Sequence, residues 1–153
     1  IIKDFDEFLQ VKGLNALNIT EKNTLMSSLY FLKPRIKNYQ DLYDQAQFLI
    51  IPNNIKIDEN CFSLINKYSL SLLKELTIKL ANAKWDRENL NEIIKLLAKE
   101  NQVSFKEVAQ MVRIAILGKL NSPGIIDMML VLKRSEVMLR FKRFYNSFKR
   151  EYE

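Results

Sequence analysis

Residues 105–140 read FKEVAQMVRIAILGKLNSPGIIDMMLVLKRSEVMLR, and they contain the strongest structural pattern in the chain. Apolar side chains recur at the spacing of one helix face, at Phe105, Val108, Ala109, Val112 and Ile116. Ser104 and Glu107 form an S-x-x-E capping box at the start of this helix, and Gly118 can end it. The pattern predicts an amphipathic helix that ends in a turn.

The sequence after Gly118 predicts two more helices. Ser122 as N-cap and Pro123 at the first helical position begin a short helix, and Ser135 can cap a basic last helix. If the helices on either side of the turn pack together, the turn brings together Arg113, Ser122, Pro123 and Ile125. An arginine beside a helix N-terminus is an arrangement suited to holding nucleic acid.

Polar caps and apolar stripes predict further helices before residue 104. The N-caps expected there are Thr20, Asp58, Ser69 and Asp86. Gly13 can close the first helix, and Pro34 forbids a regular helix interior beyond Lys33. The inward stripe of the second helix includes Met26, and a third helix runs from about Tyr39 to Leu49.

The length and composition indicate an all-α protein. The chain has 153 residues, enough for one ordinary domain or two small ones, and only three glycines and three prolines. Pro52-Asn53-Asn54 marks a break, so we predict about eight helices in two small packed subdomains, residues 1–55 and 56–153. No apolar run approaches the ~18 residues of a membrane span, so no membrane partner is expected.

The residue types exclude most common catalytic sites. Histidine is absent and Cys61 is the only cysteine, which removes disulfides within the chain, His/Cys zinc sites and histidine-based nucleophile activation. The three glycines are too sparse for a phosphate loop. We expect no catalytic residue, no metal and no cofactor in this chain, and a single free thiol fits a reducing cytoplasm.

The positive charge is concentrated near the end of the chain. The net charge is +6 and the sequence pI is about 9.4, and residues 133–153 hold seven basic and three acidic residues. A polyanionic partner near this end would be consistent with that charge. The candidates for phosphate contact are Lys142, Arg143, Lys149 and Arg150, although the same four residues also fit a solvated helix face.

An ordered set of motifs resembles the C-terminal anticodon-binding region of bacterial glutamyl-tRNA synthetases, the class I glutamate–tRNA ligases. The set is RIAILG at 113–118, KLN at 119–121, SPGI at 122–125, and Arg140 in a basic last helix. Residues 32–42, LKPRIKNYQDL, and Trp85 before a helix are similar to the family as well. The chain departs from the family pattern at Met111, Leu117 and Lys133, where the family usually has proline, a hydroxyl residue and glycine.

The resemblance implies the division of labour in a longer enzyme. The Rossmann-type catalytic core, with its HIGH and KMSKS signatures, is absent from this chain and would precede it in cis. The full-length enzyme would use ATP and Mg²⁺ to activate glutamate and transfer it to tRNA. The expected partner of this chain is the anticodon loop of tRNA(Glu). The protein is expected to be monomeric and cytoplasmic.

The resemblance also implies roles for six residues. Arg35 would lie near the third anticodon base, where a guanidinium can read a cytosine. Arg113 would face the first two bases, and Gln110 could reach the same pocket. The floor beneath the unstacked bases would be formed by Ser122, Pro123 and Ile125.

Other roles fit the same residues. Arg35 could cap a helix end or bind phosphate, and Arg113 could form an ion pair at the rim of the core. Residues 122–125 could be a plain helix start, and Arg140 fits a structural role that pins the last helix. A different function also stays open: a helical protein-interaction or regulatory module, derived from this domain, that no longer reads tRNA.

Overall fold

The computed structural model describes residues 2–32, 36–50 and 56–152, apart from the side chains of Tyr30, Phe31 and Ile50. The chain divides into two compact units, Ile1–Asn54 and Ile55–Glu153. Every regular element in the described ranges is a helix, which confirms the all-α prediction. The predicted joint between the subdomains lies mostly on residues 51–55, outside the described residues.

The first unit contains four helices. They are α1 (Ile2–Val11), α2 (Ile19–Leu32), α3 (Tyr39–Gln45) and α4 (Gln47–Ile50). Their fully buried side chains form one small core, which includes Phe5, Leu9, Leu25, Leu32 and Phe48. Gly13 follows α1 with a φ of +79°, as expected for a residue that closes a helix.

Two predictions for α2 were wrong. Its N-cap is Asn18, not Thr20: the Asn18 side chain accepts the Glu21 N–H at 2.8 Å, and the Glu21 carboxylate accepts the Asn18 N–H at 3.0 Å. Met26 is 59% exposed, whereas Ser28 is fully buried and its hydroxyl donates to the carbonyl of the residue four before it. The inward face therefore follows positions 25, 28 and 32, and Ser28 satisfies its hydroxyl within the helix.

The helix predicted from Tyr39 to Leu49 is interrupted. Ala46 has φ −97° and ψ 6°, so the backbone leaves helical geometry between α3 and α4. The Asn38 side chain caps α3 by accepting the Asp41 N–H at 2.8 Å. The inward residues of this segment were predicted correctly, since Leu42, Ala46 and Leu49 are all buried.

The second unit begins with a short 3₁₀ helix, η1 (Glu59–Leu64), followed by four α-helices. These are α5 (Lys67–Leu80), α6 (Arg87–Glu100), α7 (Phe105–Leu117) and α8 (Ile125–Tyr152). Each of the four packs against the other three, so the unit is a small bundle with a leucine- and isoleucine-rich core. Among the described residues, no helix combines the length and the apolar character that crossing a membrane requires.

The predicted caps of the second unit were partly right. Asp86 caps α6, Ser104 and Glu107 form the capping box of α7, and Gly118 ends α7 at φ 75°. Asp58 precedes η1, but its side chain makes no capping bond. Ser69 is not the N-cap of α5, because Asn66 takes that position and Ser69 bonds back to it as the third helical residue.

The boundaries around α8 differ from the prediction at two points. The helix starts at Ile125, two residues after Pro123, and the Met128 N–H donates to the Gly124 carbonyl at 3.1 Å. The break expected before Ser135 lies at Lys133, whose φ of 69° and ψ of 165° interrupt an otherwise continuous helix. Lys133 therefore divides α8 into a segment before the kink, 125–132, and a segment after it, 134–152.

Candidate nucleic-acid interface

The turn between α7 and α8 brings Arg113 and Ser122 together, as predicted. The Arg113 Nε donates to the Ser122 Oγ at 3.1 Å, and the Ser122 hydroxyl donates to the Pro123 carbonyl at 2.8 Å. Both side chains are half-buried. Ser122 does not cap α8, because the helix starts three residues later at Ile125, and the Ser122 hydroxyl bonds to the guanidinium and to the turn instead. We call the turn 118–124 together with Arg113 the arginine turn.

The 3₁₀ helix η1 holds the start of the arginine turn. The Gly118 carbonyl accepts the Asp58 N–H at 2.8 Å and also lies 3.4 Å from the Cys61 Sγ. Burial raises the pKa of the Cys61 thiol, and the charge of Asp58 raises it further, so the thiol stays protonated and can donate. The Gly118 N–H donates to the Ile114 carbonyl at 2.8 Å, which closes the last turn of α7.

Arg140 holds the end of α7 from the side of α8. It is only 3% exposed, its Nε donates to the Glu136 carboxylate at 2.9 Å, and its Nη1 donates to the Ile116 carbonyl at 3.0 Å. Burial lowers the pKa of Arg140, and the hydrogen bond and charge of Glu136 act in the opposite direction. Arg140 thus has the structural role that the sequence left open, because it ties α8 to a carbonyl at the C-terminus of α7.

The other residues predicted around the arginine turn differ in exposure. Pro123 is buried and Ile125 is 3% exposed, so both side chains pack largely into the core. Gln110 is half-buried one helical turn before Arg113, on the same face of α7. The surface available to a ligand here therefore consists mainly of the Arg113, Gln110 and Ser122 side chains and of backbone groups.

Gln110 lines a cavity of about 160 Å³ that extends from the end of η1 to α7. Tyr68, Glu107 and Met111 also line it, and Tyr68 is 82% exposed. Tyr68 was not predicted from the sequence. Tyr68 is the second residue of α5 and lies off the apolar stripe of that helix, so burial in the core does not account for an aromatic side chain there. That mismatch is the sequence signal that could have indicated Tyr68.

The remaining candidates lie outside this cluster. Arg35 falls on residues 33–35, outside the described residues, so its predicted role is not tested. Lys142, Arg143 and Arg150 are exposed on α8, and Lys149 is half-buried. The opposite face of the same helix carries Phe141 and Phe144, both buried. The segment of α8 after the kink is therefore amphipathic, with a basic outer face.

The polar groups around the arginine turn are suited to hydrogen bonding with a ligand. Within the described ranges, no group of three or more histidine, cysteine, aspartate or glutamate side chains is arranged to hold a metal ion. Arg113 and Gln110 offer a guanidinium and an amide close to the turn that leads into α8. The first turn of a helix has N–H groups without intrahelical acceptors, so the set can form hydrogen bonds to the edge of an unstacked base or to phosphate.

Comparison with known proteins identifies the family of the chain. Residues 1–145 match the family model described as an anticodon binding domain. Glutamate–tRNA ligase 1 of Jannaschia sp. is 31% identical over 140 residues, covering 92% of this chain and 30% of that protein. Glutamate–tRNA ligase 2 of Ruegeria pomeroyi is 33% identical over 139 residues, covering 91% of this chain and 30% of that protein.

Solved structures have the same fold. A glutamate tRNA ligase from Elizabethkingia meningosepticum aligns with a TM-score of 0.73 at 19% identity, over 95% of this chain and 28% of that one. The glutamate–tRNA synthetase of Elizabethkingia anophelis aligns with a TM-score of 0.66 at 19% identity. This chain spans about 30% of the length of its curated relatives. The chain belongs to the anticodon binding domain family, and it is similar to a segment of glutamate–tRNA ligases that makes up less than a third of their length.

Proposed function

We propose that this chain recognises the anticodon loop of tRNA(Glu) within a monomeric, cytoplasmic glutamate–tRNA ligase. A catalytic core outside this chain, joined to it in cis, would bind ATP and Mg²⁺ and perform the glutamylation. The observation that carries the proposal is the bond between Arg113 and Ser122, in a chain that belongs to the anticodon binding domain family. It supports a site that is organised before RNA binds.

The arginine turn suits recognition of single-stranded bases. Proteins read RNA sequence mainly in loops, where unstacked bases expose their hydrogen-bonding edges. A guanidinium offers only donors, and an amide such as that of Gln110 offers both donors and an acceptor. Arg113 would therefore bond to the acceptors of the first two anticodon bases, while the Ser122–Ile125 backbone supports them from below.

Two departures from the family pattern do not weaken this proposal. Met111 is 4% exposed and Leu117 is 8% exposed, so both side chains mainly fill the core next to the arginine turn. A larger apolar residue at a core position changes packing but leaves the hydrogen-bonding groups of the turn in place. The alternative, a protein-interaction module that no longer reads tRNA, therefore receives little support from these two positions.

We also propose that Arg35 reads the third anticodon base. The motif around Arg35 is similar to that of the family, and a guanidinium can donate to the carbonyl and ring nitrogen of a cytosine. This contact would help the enzyme to separate tRNA(Glu) from other tRNAs.

The test measures binding of the chain to a tRNA(Glu) anticodon stem-loop and to a stem-loop whose third anticodon base is G instead of C. Each is measured at two salt concentrations with wild type, Arg35→Ala and Arg113→Ala. We expect the cognate loop to bind better, and Arg35→Ala to remove that preference by about 1–3 kcal/mol, the size of a good base contact. Lys95→Ala, which removes one exposed charge on α6, is the matched control.

Three results would contradict parts of the proposal. Equal binding of both loops, with a strong dependence on salt, would mean that the chain holds phosphates without reading the third base. If Arg113→Ala binds the stem-loops as tightly as the Lys95→Ala control does, the arginine turn is not part of the interface. No binding of either loop at low salt would favour the protein-interaction module.

A further inference from the structure

A second cavity lies in the same unit, away from the residues of the arginine turn. Its volume is about 460 Å³, and it lies between the loop that precedes α6 and the kink of α8. It is lined by Trp85, Leu130, Lys133, Arg134 and Ser135. We call it the Trp85 cavity. Sequence reasoning assigned none of these residues to a site, because they are separated by about 50 positions along the chain.

An arginine is held against the aromatic wall of this cavity. The guanidinium carbon of Arg134 lies 5.4 Å from the centre of the Trp85 ring, and the Trp85 indole N–H donates to the Met129 carbonyl at 2.9 Å. The ring is therefore anchored to α8, and it positions the guanidinium from one side. Arg134 is oriented before any ligand arrives.

The Arg134 guanidinium lacks one hydrogen bond that burial makes costly. Its Nε is buried and, within the described part of the chain, has no hydrogen-bond acceptor. A buried donor without a partner is unfavourable, so this N–H needs an acceptor, and it belongs to a side chain that lines the cavity. Aromatic rings offer no strong acceptor, so Trp85 leaves this need unmet.

The charge around the cavity is positive. Lys133 is exposed beside Arg134, so two cations are adjacent in sequence at one rim. The nearest carboxylates in sequence are each paired with another cation: Glu136 with Arg140 at 2.9 Å, and Asp86 with Lys84 at 3.8 Å. The cavity therefore favours an anionic ligand.

The backbone at the rim is strained. Lys133 has φ 69° and ψ 165°, a region that glycine occupies and that residues with a Cβ rarely do. This conformation ends the first segment of α8 and starts the second one with Arg134 and Ser135. The strain coincides with the point where two basic side chains reach one cavity, as is common at binding sites.

We propose that the Trp85 cavity binds a backbone phosphate of the RNA whose bases the arginine turn reads, with Arg134 and Lys133 donating to the phosphate oxygens. This inference rests on the proposed function. The segment 125–132 leads from the arginine turn to Lys133, and eight residues of helix extend about 12 Å. Such a distance is short enough for one RNA loop to reach both places.

Trp85 is the only tryptophan of the chain, so its fluorescence reports on this cavity directly. The experiment titrates the whole chain with the tRNA(Glu) anticodon stem-loop and, separately, with inorganic phosphate, and it measures stem-loop affinity by an independent method across a salt series. We expect the RNA to change the Trp85 emission with the same midpoint as binding. Inorganic phosphate should produce the same change only at far higher concentration.

Two variants test the phosphate contact. We expect Lys133→Gly and Arg134→Gln each to weaken stem-loop binding by about tenfold at low salt, as for the loss of a charge-assisted hydrogen bond. Each should also reduce the steepness of the fall of log affinity with log salt concentration by about 0.7. Lys133→Gly removes the charge while relieving the backbone, so its weaker binding cannot come from poorer folding. Lys133→Ala removes the same charge without that relief and should bind RNA equally weakly.

The outcomes separate this inference from the proposed function. If Arg113→Ala weakens stem-loop binding while Lys133→Gly and Arg134→Gln bind with wild-type affinity and salt slope, the proposed function stands and the phosphate site is overturned. If the stem-loop does not bind, but inorganic phosphate changes the Trp85 emission of wild type and not that of Lys133→Gly or Arg134→Gln, the cavity is an anion site and RNA is not its ligand. If Arg113→Ala, Lys133→Gly and Arg134→Gln all weaken stem-loop binding, both proposals are supported.

Discussion

Lys133 has a backbone conformation whose steric cost falls on any residue with a Cβ. Because glycine lacks that atom, we expect Lys133→Gly to raise the free energy of unfolding by about 1–2 kcal/mol, even though glycine is a poor helix former. Urea denaturation followed by circular dichroism measures this change. Lys133→Ala is the control, since it loses the same charge but keeps the strain. A Gly variant no more stable than the Ala variant would show that the conformation is not strained.

Arg140 is a buried side chain that holds the end of α7. We expect Arg140→Ala to lower the free energy of unfolding by about 2–4 kcal/mol, because it leaves the Ile116 carbonyl without its donor and opens a cavity. Arg140→Lys should lose less, since it keeps the charge and one donor group. Chemical denaturation of the three proteins gives the comparison. If the free energy of unfolding of the Ala variant changes by less than about 0.5 kcal/mol, Arg140 does not hold α8 to the end of α7.

The start of α6 provides a test that depends on pH. The Asp86 carboxylate accepts the Asn89 backbone N–H at 2.8 Å, and this bond, with a second one from the Asn89 side chain, lowers the Asp86 pKa. A carboxylate whose folded pKa is depressed stabilises the protein above its unfolded pKa, and that contribution is lost as the pH falls through the folded pKa. The loss should therefore appear in acid, below about pH 4.

Asp86→Asn should remove this part of the acid sensitivity, because asparagine can cap the helix without titrating. The measurement is the melting temperature of both proteins between about pH 7 and about pH 3. Glu92→Gln, which neutralises an exposed carboxylate on the same helix, corrects for the general change in charge. If the Asn variant loses as much stability in acid as wild type does, Asp86 is not the responsible group.

Helix caps show how far local sequence can define an element. Asp86, Ser104 and Gly118 were identified correctly, and each is of a residue type preferred at its cap position. Thr20 and Ser69 were wrong because Asn18 and Asn66 lie close by and form reciprocal boxes with the third helical residue. Two good caps within one turn are equivalent locally, and the packing of the helix decides between them.

The basic outer face of α8 acts at the scale of the whole molecule. If it binds phosphates, replacing Lys142 and Arg150 by Gln together should weaken stem-loop binding and lower the salt slope by about 0.7 for each lysine–phosphate or arginine–phosphate pair removed. Both side chains are exposed, so the free energy of unfolding should change by less than about 0.5 kcal/mol. Affinity measured across a salt series tests this. An unchanged slope would identify a solvated face, the alternative that the sequence left open.

The charge of +6 supports RNA binding but does not locate it. Long-range attraction depends on the total charge, whereas recognition depends on which donors converge on one base or phosphate. In the second unit, Arg113 is positioned by Ser122 and Arg134 by Trp85, and both side chains are partly exposed, whereas that of Arg140 is buried. These two are therefore the arginines in the described residues for which we propose specific contacts.

The amino-acid sequence by itself determined the all-α class, most helix positions and the turn after Gly118, which brings Arg113 and Ser122 together once the helices on either side of it pack. These follow from apolar periodicity, from capping residues and from a short turn, all of which act over short distances along the chain. Only the tertiary structure decided the role of Arg140, the anchoring of Gly118 by η1 and the Trp85 cavity. Those features join residues about 24, 60 and 50 positions apart, and such pairings depend on how the helices pack, which no local pattern encodes.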